Sequence, residues 1–452
     1  MNNLIARQSA RSTRFLALLV VLGCLLIPLG IGQLRANATP TAVLSHGPVV
    51  GAVYEKTARV FVRTDSAASV VIRYSPEPDL SIYLDSAAYA TTANNDFSVQ
   101  VPLSGLTGNT TYYLDVLVDG VPQFVAPYPQ FKTFPQKGVA TTFRFVILTD
   151  FKEADSGAVE AVDTWVNASL EGPDFVYIGG DFDHRNPTTY AEKAQMFKDL
   201  YTPANNYEDF IFEILRKYAV VHNWDDHDYG SNTADKFYPY RTRSLRVLSR
   251  YFPTYPMTNL GDWQAFSYAQ ADFFLLDSRA QRDPAGDPQG TEKSMLDGDN
   301  LGANGQLEWL KNNLLASTAT WKFILTPVVW NPTNQTDAWS QYLDERQAII
   351  DFINTNGITG VIFISGDRHA GAIDDGTNSD FPEMLVPSVN LNNCLSSGIP
   401  LGAWSEGTYG GENPPLCRGY GVVTVLTSPD RVTMKVKDDL GIEQLGLTIT
   451  LP

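Results

Sequence analysis

Three short segments of this 452-residue chain combine histidine with aspartate. They are Asp181-Phe-Asp-His184, Val221–Tyr229 and Asp367-Arg-His369, and together they hold four of the five histidines. Asp181 and Asp367 each follow a run of apolar residues rich in valine and isoleucine. Carboxylates and imidazoles that lose water together repel one another unless cations neutralise them. The three segments therefore predict a metal centre.

The apolar runs before these segments read as buried strands. Phe143–Thr149 ends at Asp150, Phe175–Ile178 leads into Asp181, and Gly360–Ile364 leads into Asp367. A helical pattern between the first two runs, around Ala158–Leu170, gives the strand-helix-strand order of a parallel sheet. Side chains at the carboxyl ends of such strands meet in one crevice. The pattern predicts an α/β domain over residues 142–452.

The region from about 41 to 136 has a different pattern. Ala58–Arg63, Ser69–Tyr74 and Phe97–Val101 alternate apolar and polar residues, with turn residues between them. This spacing is typical of a β-sandwich. We interpret Phe131–Gly138 as the linker to the second domain.

Further elements of the second domain follow from periodicity. The predicted helices are Tyr190–Tyr201, Tyr207–Tyr218, Gln306–Leu315 and Tyr342–Asn354, and the predicted terminal hairpin pairs Val422–Leu426 with Arg431–Lys437.

Residues 1–38 have the composition of a signal peptide. Arg7, Arg11 and Arg14 precede the uncharged run Phe15–Leu34, and Ala36-Asn-Ala38 offers a cleavage site. The alternative is an anchor helix that is not cleaved. Either interpretation places the protein outside the cytoplasm, in the periplasm, at the cell surface or in the medium.

Export would determine whether the cysteines can form a disulfide. Removal of residues 1–38 leaves Cys394 and Cys417, which we expect to form a disulfide in an oxidising compartment, the alternative being two unrelated thiols. The formal charge of −17 argues against tight binding to long nucleic acids or anionic surfaces. A small phosphate ester whose charge is met by metals is compatible with it.

Four segments carry recognisable motifs: Trp224–Asn232, Leu275–Arg279, Gln306–Leu310 and Ser365–His369. They resemble motifs of the PhoD-like alkaline phosphatases and phosphodiesterases, which belong to the calcineurin-like metallophosphoesterases. Gly47–Gly51 and Phe131–Phe134 resemble the β-module of that family. The resemblance implies a fibronectin III-like N-terminal sandwich followed by two packed mixed β-sheets flanked by helices. It spans nearly all of residues 41–452.

The resemblance also implies roles for individual residues. The implied metal ligands are Asp150, Asp181, His184, Asp226, Asp367 and His369. His184, His369 and Asp150 with a bridging Asp181 would form a nitrogen and oxygen site that suits iron or zinc. Asp181, Asp226 and Asp367 would form an oxygen site that suits calcium, manganese or magnesium. The resemblance implies iron with calcium.

Other residues complete the predicted site. His227 stands at the catalytic histidine position, where it would protonate the leaving group, and Arg185 and Arg279 are phosphate-binding candidates, although Arg279 could instead pair with an acid. Lys152 stands where the family has a histidine. A second family histidine, expected as a metal ligand after the strand that ends near Ile324–Val328, is absent, and Asn331 is the candidate substitute. Asp225, Asp228 and Asn232 are possible ligands or supports for ligands. We interpret His222 as a packed strand residue.

These observations predict a secreted metal-dependent hydrolase of phosphate monoesters, diesters or both. One alternative is a narrow phosphodiesterase resembling phospholipase D that acts on lipids or wall polymers. The other is a cell-surface calcium-binding module that has lost catalysis.

Overall fold

The first part of the chain forms two antiparallel sheets. A computed structural model describes residues 41–152, 163–203, 207–333, 336–391, 399–400, 402–410 and 417–451. The strands of this part are β1 (Leu44–Gly51), β2 (Thr57–Thr64), β3 (Ala68–Ser75), β4 (Leu84–Asp85), β5 (Tyr89–Thr91), β6 (Ser98–Ser104), β7 (Thr111–Val118), β8 (Val121–Pro122) and β9 (Gln130–Lys132). One sheet has the order β1-β2-β6 and the other β4-β3-β7-β8, with β5 on β3 and β9 on β7. Val60 of the first sheet and Val116 of the second lie in one buried cluster.

The rest of the chain supplies two larger mixed sheets. Their strands are β10 (Phe143–Leu148), β11 (Phe175–Gly179), β12 (Ala219–Asn223), β13 (Gln264–Tyr268), β14 (Ala271–Leu275), β15 (Trp321–Leu325), β16 (Val361–Ser365), β17 (Gly371–Asp374), β18 (Glu383–Leu385), β19 (Thr408–Tyr409), β20 (Gly419–Thr427), β21 (Asp430–Asp438) and β22 (Glu443–Thr450). The orders are β12-β11-β10-β20-β21-β22 and β13-β14-β15-β16-β18-β17-β19. β10, β11 and β12 are parallel, as are β14, β15, β16 and β18.

The α-helices of the described residues are α1 (Thr164–Leu170), α2 (Tyr190–Leu200), α3 (Asp226–Tyr229), α4 (Arg241–Tyr251), α5 (Gln306–Ala316) and α6 (Leu343–Thr355). The five longer helices, α1, α2, α4, α5 and α6, pack on the mixed sheets. Residues of α1, α2 and α4 share one buried cluster with the first mixed sheet, and residues of α5 and α6 share another with the second. None of the helices in the described part of the chain combines the length and apolar character needed to traverse a bilayer.

Aromatic side chains fill the space between the two mixed sheets. The ring of Phe145 on β10 lies 5.4 Å from that of Phe273 on β14 and 5.3 Å from that of Phe323 on β15, centroid to centroid. These strands are buried along their whole length, apart from partly exposed Arg144. Burial on both faces explains why their sequences are apolar runs rather than alternating patterns.

The N-terminal sheets pack directly on the mixed sheets. The Phe134 ring lies 5.6 Å from Phe175 and 4.8 Å from Tyr268, and Tyr255 donates a hydrogen bond from its hydroxyl to the Val53 carbonyl at 3.0 Å. Residues 42–452 accordingly form one compact unit.

The structure differs from the sequence expectations at several places. The segment interpreted as a linker begins with β9, in which Phe131 is fully buried. The helix expected over Tyr207–Tyr218 contains a π-helix, Phe210–Leu215. The terminal hairpin has a third strand, β22, whose partly exposed residues gave a weak pattern. The predicted signal peptide and Cys394 lie outside the described residues.

Candidate metal centre

Five predicted site residues follow directly on parallel strands of the two facing sheets. Asp150 follows β10, Asp181 follows β11, Asp226 follows β12, and Asp367 and His369 follow β16. Because parallel strands present their carboxyl ends at the same edge, the sheets bring these residues to one crevice.

The backbone at this crevice is strained. Asp150, Asp181, Asp367 and His369 have positive φ angles of 57°, 49°, 70° and 49°. L-residues avoid this left-handed conformation at a cost of about 1–2 kcal/mol each. The surrounding sheets hold four polar residues in this conformation, a pattern that clusters at functional sites.

The first ligand group consists of Asp150, His184 and His369. Their candidate ligand atoms lie within 4.8 Å of one another, and His369 Nε2 is 3.5 Å from Asp150 Oδ1. The His184 Nδ1 lies 2.7 Å from the Phe151 carbonyl oxygen. A carbonyl can only accept, so Nδ1 carries the proton and Nε2 is left as the ligating nitrogen.

Two further groups share residues with the first. Asp181, His184 and His227 form the second group, with His184 Nε2 3.5 Å from Asp181 Oδ2. The third group contains carboxylates only, from Asp181, Asp225, Asp226 and Asp367. Asp181 and His184 therefore connect a mixed nitrogen and oxygen region to an all-oxygen region.

Burial opposes the ionisation of these carboxyl groups. It is the main cause that raises the pKa of Asp150 to about 8 and that of Asp225 to about 6. Burial, together with neighbouring carboxylates such as Asp226, also raises the pKa values of Asp181 and Asp367 well above their usual range. A cation favours the ionised form and would reverse these shifts.

Buried polar atoms without hydrogen-bond partners indicate where cations could bind. Among the described residues, several buried atoms of the site have no hydrogen-bond partner: Asp150 Oδ1, His184 Nε2, Asp225 Oδ2, Asp226 Oδ1 and Asp367 Oδ2. Buried polar atoms are rarely left unpaired. Each of these is a lone-pair donor in one of the ligand groups, so the residues fit bound metal ions.

A buried arginine supports the all-oxygen group. Arg279 is fully buried; its Nε donates to Asp225 Oδ1, and its Nη1 donates to Asp337 Oδ2 at 2.8 Å. Its Nη2 lies 3.8 Å from Asp367 Oδ1. Arg282 donates to the other oxygen of Asp337. Asp225 Oδ2, which is buried and has no hydrogen-bond partner among the described residues, is left as a candidate ligand.

The two predicted phosphate-binding arginines are both engaged by carboxylates. The Arg185 guanidinium donates to Asp183 through Nε at 2.8 Å and to Asp199 through Nη1 at 2.6 Å. Arg279 pairs with Asp225 and Asp337, as the alternative interpretation expected. Their role in phosphate binding stays a prediction.

His227, the predicted proton donor, lies beside Asp181 and His184 of the second ligand group. Its Nδ1 is 2.8 Å from Asn186 Oδ1, its Nε2 is 3.9 Å from Asp226 Oδ1, and its backbone N–H donates to Asp181 Oδ1 at 3.1 Å. The ring centroid is 4.3 Å from that of His184. His227 is thus close enough to serve either as a proton donor or as a ligand of the second group.

The supporting candidates have different surroundings. Asp228 accepts from the Phe182 N–H at 2.8 Å and the Asp225 N–H at 3.2 Å, and so fixes the turn that carries the ligands. Asn232 is exposed. The Asn331 amide donates to the Ala403 carbonyl at 2.9 Å and its Oδ1 accepts from the Thr333 N–H at 3.2 Å.

Two other sequence expectations concern residues beside the site. His222 is buried on β12, where its Nδ1 donates to the Ile178 carbonyl at 3.1 Å, and burial lowers its pKa to about 4. At Lys152, which replaces a family histidine, the backbone N–H donates to Asn390 Oδ1 at 2.8 Å.

Asn186, Arg282 and Asp337 belong to the site but were not predicted from the sequence. Asn186 lies two residues after His184, just beyond the first segment, so this position could have drawn attention. Asp337 lies in a segment without a motif, and its pairing with Arg279 and Arg282 spans 58 and 55 positions. Such long-range pairs need a folded structure to be seen.

Comparison with known proteins decides the family. A family model described as PhoD-like phosphatase matches residues 167–397, which is half of the chain. The chain belongs to the PhoD-like phosphatase family. A second model, described as a domain of unknown function (DUF7800), matches residues 41–138 of this PhoD-like protein.

A curated relative of this PhoD-like chain is alkaline phosphatase D of Bacillus subtilis (strain 168). The two are 26% identical over 317 residues, which are 60% of this chain and 53% of the relative. The chain therefore spans about half the length of the curated relative that it matches.

Two solved structures share the fold. A structure titled as that of PhoD matches with a TM-score of 0.69 at 17% identity, over 89% of this chain and 88% of its own. Purple acid phosphatase PPD1 from yellow lupin seeds matches with a TM-score of 0.61 at 14% identity, over 91% and 74%. These matches and the mixed sheets confirm the predicted metallophosphoesterase-like domain, whereas the fibronectin III likeness of the N-terminal sheets stays a prediction.

Proposed function

We propose that this protein is a metal-dependent hydrolase of phosphate esters. The observation that carries the proposal is the convergence of three ligand groups, in which His184 links the first group to the second and Asp181 links the second to the third. Buried ligand atoms without hydrogen-bond partners among the described residues support it. Family membership and the similarity to alkaline phosphatase D favour phosphate esters as the substrate class.

The donor atoms favour two kinds of cation. His184, His369, Asp150 and Asp181 offer nitrogen and oxygen, which suits iron or zinc. Asp181, Asp226 and Asp367 offer oxygen only, which suits calcium, manganese or magnesium, and Asp225 is an additional candidate there. We propose iron with calcium as the first pair to test.

In the proposed reaction the protein positions groups around an in-line displacement at phosphorus. Metal ions bound at the site would lower the pKa of a water molecule and neutralise phosphoryl oxygens. Asp181 connects the mixed nitrogen and oxygen region to the all-oxygen region. His227, oriented by Asn186, would carry a proton on Nε2 and give it to the leaving oxygen.

Substitution of the shared ligand tests the proposal. Asp181→Asn removes one charge with little change in volume, and it should abolish turnover of p-nitrophenyl phosphate and of bis(p-nitrophenyl) phosphate. The metal content of the purified variant should fall as well. A variant with wild-type turnover of either ester would refute the proposal.

The same two assays separate the alternatives. Turnover of the diester alone would favour a narrow phosphodiesterase that acts on lipids or wall polymers. A wild-type protein that binds one weak calcium ion and hydrolyses neither ester would be the non-catalytic module. Export and a Cys394–Cys417 disulfide are part of the proposal as well, and they rest on the sequence of residues 1–38 and on the cysteine positions.

A further inference from the structure

Arg368 lies between two candidate metal ligands, Asp367 and His369. Both neighbours have left-handed backbone angles, so the segment is tightly curved at this point. The Arg368 side chain is only 12% exposed. It is therefore a nearly buried cation placed within the ligand segment itself.

Among the described residues, the Arg368 guanidinium has no hydrogen bond, unlike those of Arg185 and Arg279. It contacts Asp367, with Nη1 3.9 Å from Oδ2, which is too long for a hydrogen bond. Its Nε is buried and has no hydrogen-bond partner among the described residues. By contrast, Arg185 and Arg279 each donate to two carboxylates. A buried N–H donor without a partner is costly unless a ligand accepts its hydrogen bond.

The chemistry of this arrangement suits a phosphoryl group. Guanidinium presents several N–H donors in a planar fork that matches phosphate oxygens. Asp367, next to Arg368, belongs to the all-oxygen ligand group. A phosphoryl group bound beside that group lies within reach of the Arg368 guanidinium, since Nη1 is already 3.9 Å from the Asp367 carboxylate.

We propose that Arg368 binds the non-bridging oxygens of the substrate phosphoryl group. This inference rests on the proposed function, because it assigns the substrate-binding cation of the same site. It accounts for the buried Nε of Arg368 that has no hydrogen-bond partner among the described residues, whereas the guanidinium groups of Arg185 and Arg279 are already held by carboxylates.

The test measures phosphate affinity separately from turnover. Metal-loaded wild type, Arg368→Gln and Arg368→Lys are titrated calorimetrically with inorganic phosphate, and KM and kcat are determined with p-nitrophenyl phosphate. Two lost charge-assisted hydrogen bonds should weaken phosphate binding and raise KM about tenfold to a hundredfold in Arg368→Gln. Arg368→Lys keeps the charge but not the fork, so its affinity should lie in between. Arg59→Gln, which removes an exposed arginine on β2, is the charge-matched control.

Metal content decides between substrate binding and simple charge balance. If Arg368 only neutralised Asp367, Arg368→Gln would lower metal content, and phosphate affinity would return to the wild-type value once the variant was fully reloaded with metal; that result would overturn the proposal. If Arg368→Gln does not fold, Arg368→Lys still decides, since wild-type phosphate affinity in that variant would overturn the proposal.

The outcomes also separate this proposal from the proposed function. Wild-type turnover together with unchanged affinity in both variants would refute the role of Arg368 and leave hydrolysis intact. Phosphate binding that depends on Arg368 in a protein that hydrolyses neither ester would refute hydrolysis and leave Arg368 as the anion-binding residue.

Discussion

Asn186 Oδ1 lies 2.8 Å from His227 Nδ1 and 3.0 Å from the backbone nitrogen of Asn232. The backbone N–H can only donate, so the atom facing both groups must be the amide oxygen. His227 Nδ1 must then carry a proton. Asn186 thereby fixes the tautomer of the neutral ring and directs Nε2, which lies 3.9 Å from Asp226 Oδ1, towards the ligand groups.

Loss of this contact should slow catalysis. Asn186 has a φ of 54°, and glycine adopts this conformation without strain, so Asn186→Gly removes the side chain and leaves the turn intact. We expect kcat for p-nitrophenyl phosphate to fall about tenfold to a hundredfold, because general acid catalysis contributes on this order or more. Metal content should stay at the wild-type value.

Asn186→Asp is the matched control, since it keeps an acceptor for His227 Nδ1. Its kcat should lie well above that of Asn186→Gly. Equal rates for wild type and Asn186→Gly would show that the orientation of His227 does not matter for turnover.

The metal-free protein should lose stability as the pH rises. Burial raises the pKa of Asp150 to about 8 and that of Asp225 to about 6. A carboxyl group whose pKa is raised by folding stabilises the folded state fully at pH values below its ordinary pKa of about 4. This contribution is lost as the pH rises through the pKa that the group has in the folded state. Since one pKa unit is worth about 1.4 kcal/mol, chelator-treated protein should melt roughly 5 °C or more lower at pH 8 than at pH 5.

Metal loading should remove most of this loss, because cations bind the ionised carboxylates. The measurement is the Tm of stripped and reloaded protein across this pH range. Asp150→Asn, which cannot ionise, should flatten the dependence of the stripped protein. A stripped protein that is equally stable at pH 5 and pH 8 would contradict the role given to the buried acids.

Asp337 should matter for stability far more than a surface acid does. Burial favours its neutral form, but Arg279 and Arg282 outweigh this effect and lower the pKa to about 2. Asp337→Asn would leave two fully buried guanidinium groups short of a negative charge, at a cost of about 3–5 kcal/mol in the free energy of unfolding. Denaturant titration at neutral pH measures this cost.

Asp380→Asn is the control for this prediction. Asp380 accepts from Arg346 Nη2 at 2.9 Å, but its side chain is 48% exposed. Arg346 is itself buried, but solvent screens the half-exposed carboxylate, so the loss should be about 1 kcal/mol. If both variants lost equally little stability, the Arg279–Asp337–Arg282 chain would not be a structural support of the site.

The sequence predicted the parts of the site that follow strands. Asp150, Asp181 and Asp367 end apolar runs, so their convergence follows from sheet topology alone. Local sequence could not reveal the hydrogen bond of Asn186 to His227, which spans 41 positions, or the pairing of Asp337 with Arg279. The weak strand β22 was missed for a different reason: its residues are mostly exposed or partly exposed, which lowers the contrast of its pattern.

The N-terminal sheets should unfold together with the rest of the chain. Phe61 on β2 is fully buried, and its ring lies 5.6 Å from Tyr201, just after α2, and 5.9 Å from Tyr251 at the end of α4. Its neighbour Val60 faces the core of the N-terminal sheets instead. Phe61 thus belongs to the core of the second region, although it lies on a strand of the first.

Phe61→Ala should therefore lower the stability of both regions at once. A buried phenylalanine replaced by alanine costs about 3–5 kcal/mol, and calorimetry of residues 39–452 should show one transition shifted to lower temperature. Val121→Ala, at a position that is 49% exposed, should change the free energy of unfolding by about 0.5 kcal/mol or less. Two separate transitions, of which Phe61→Ala moves only one, would mean that the regions fold independently and that their contact is not part of a shared core.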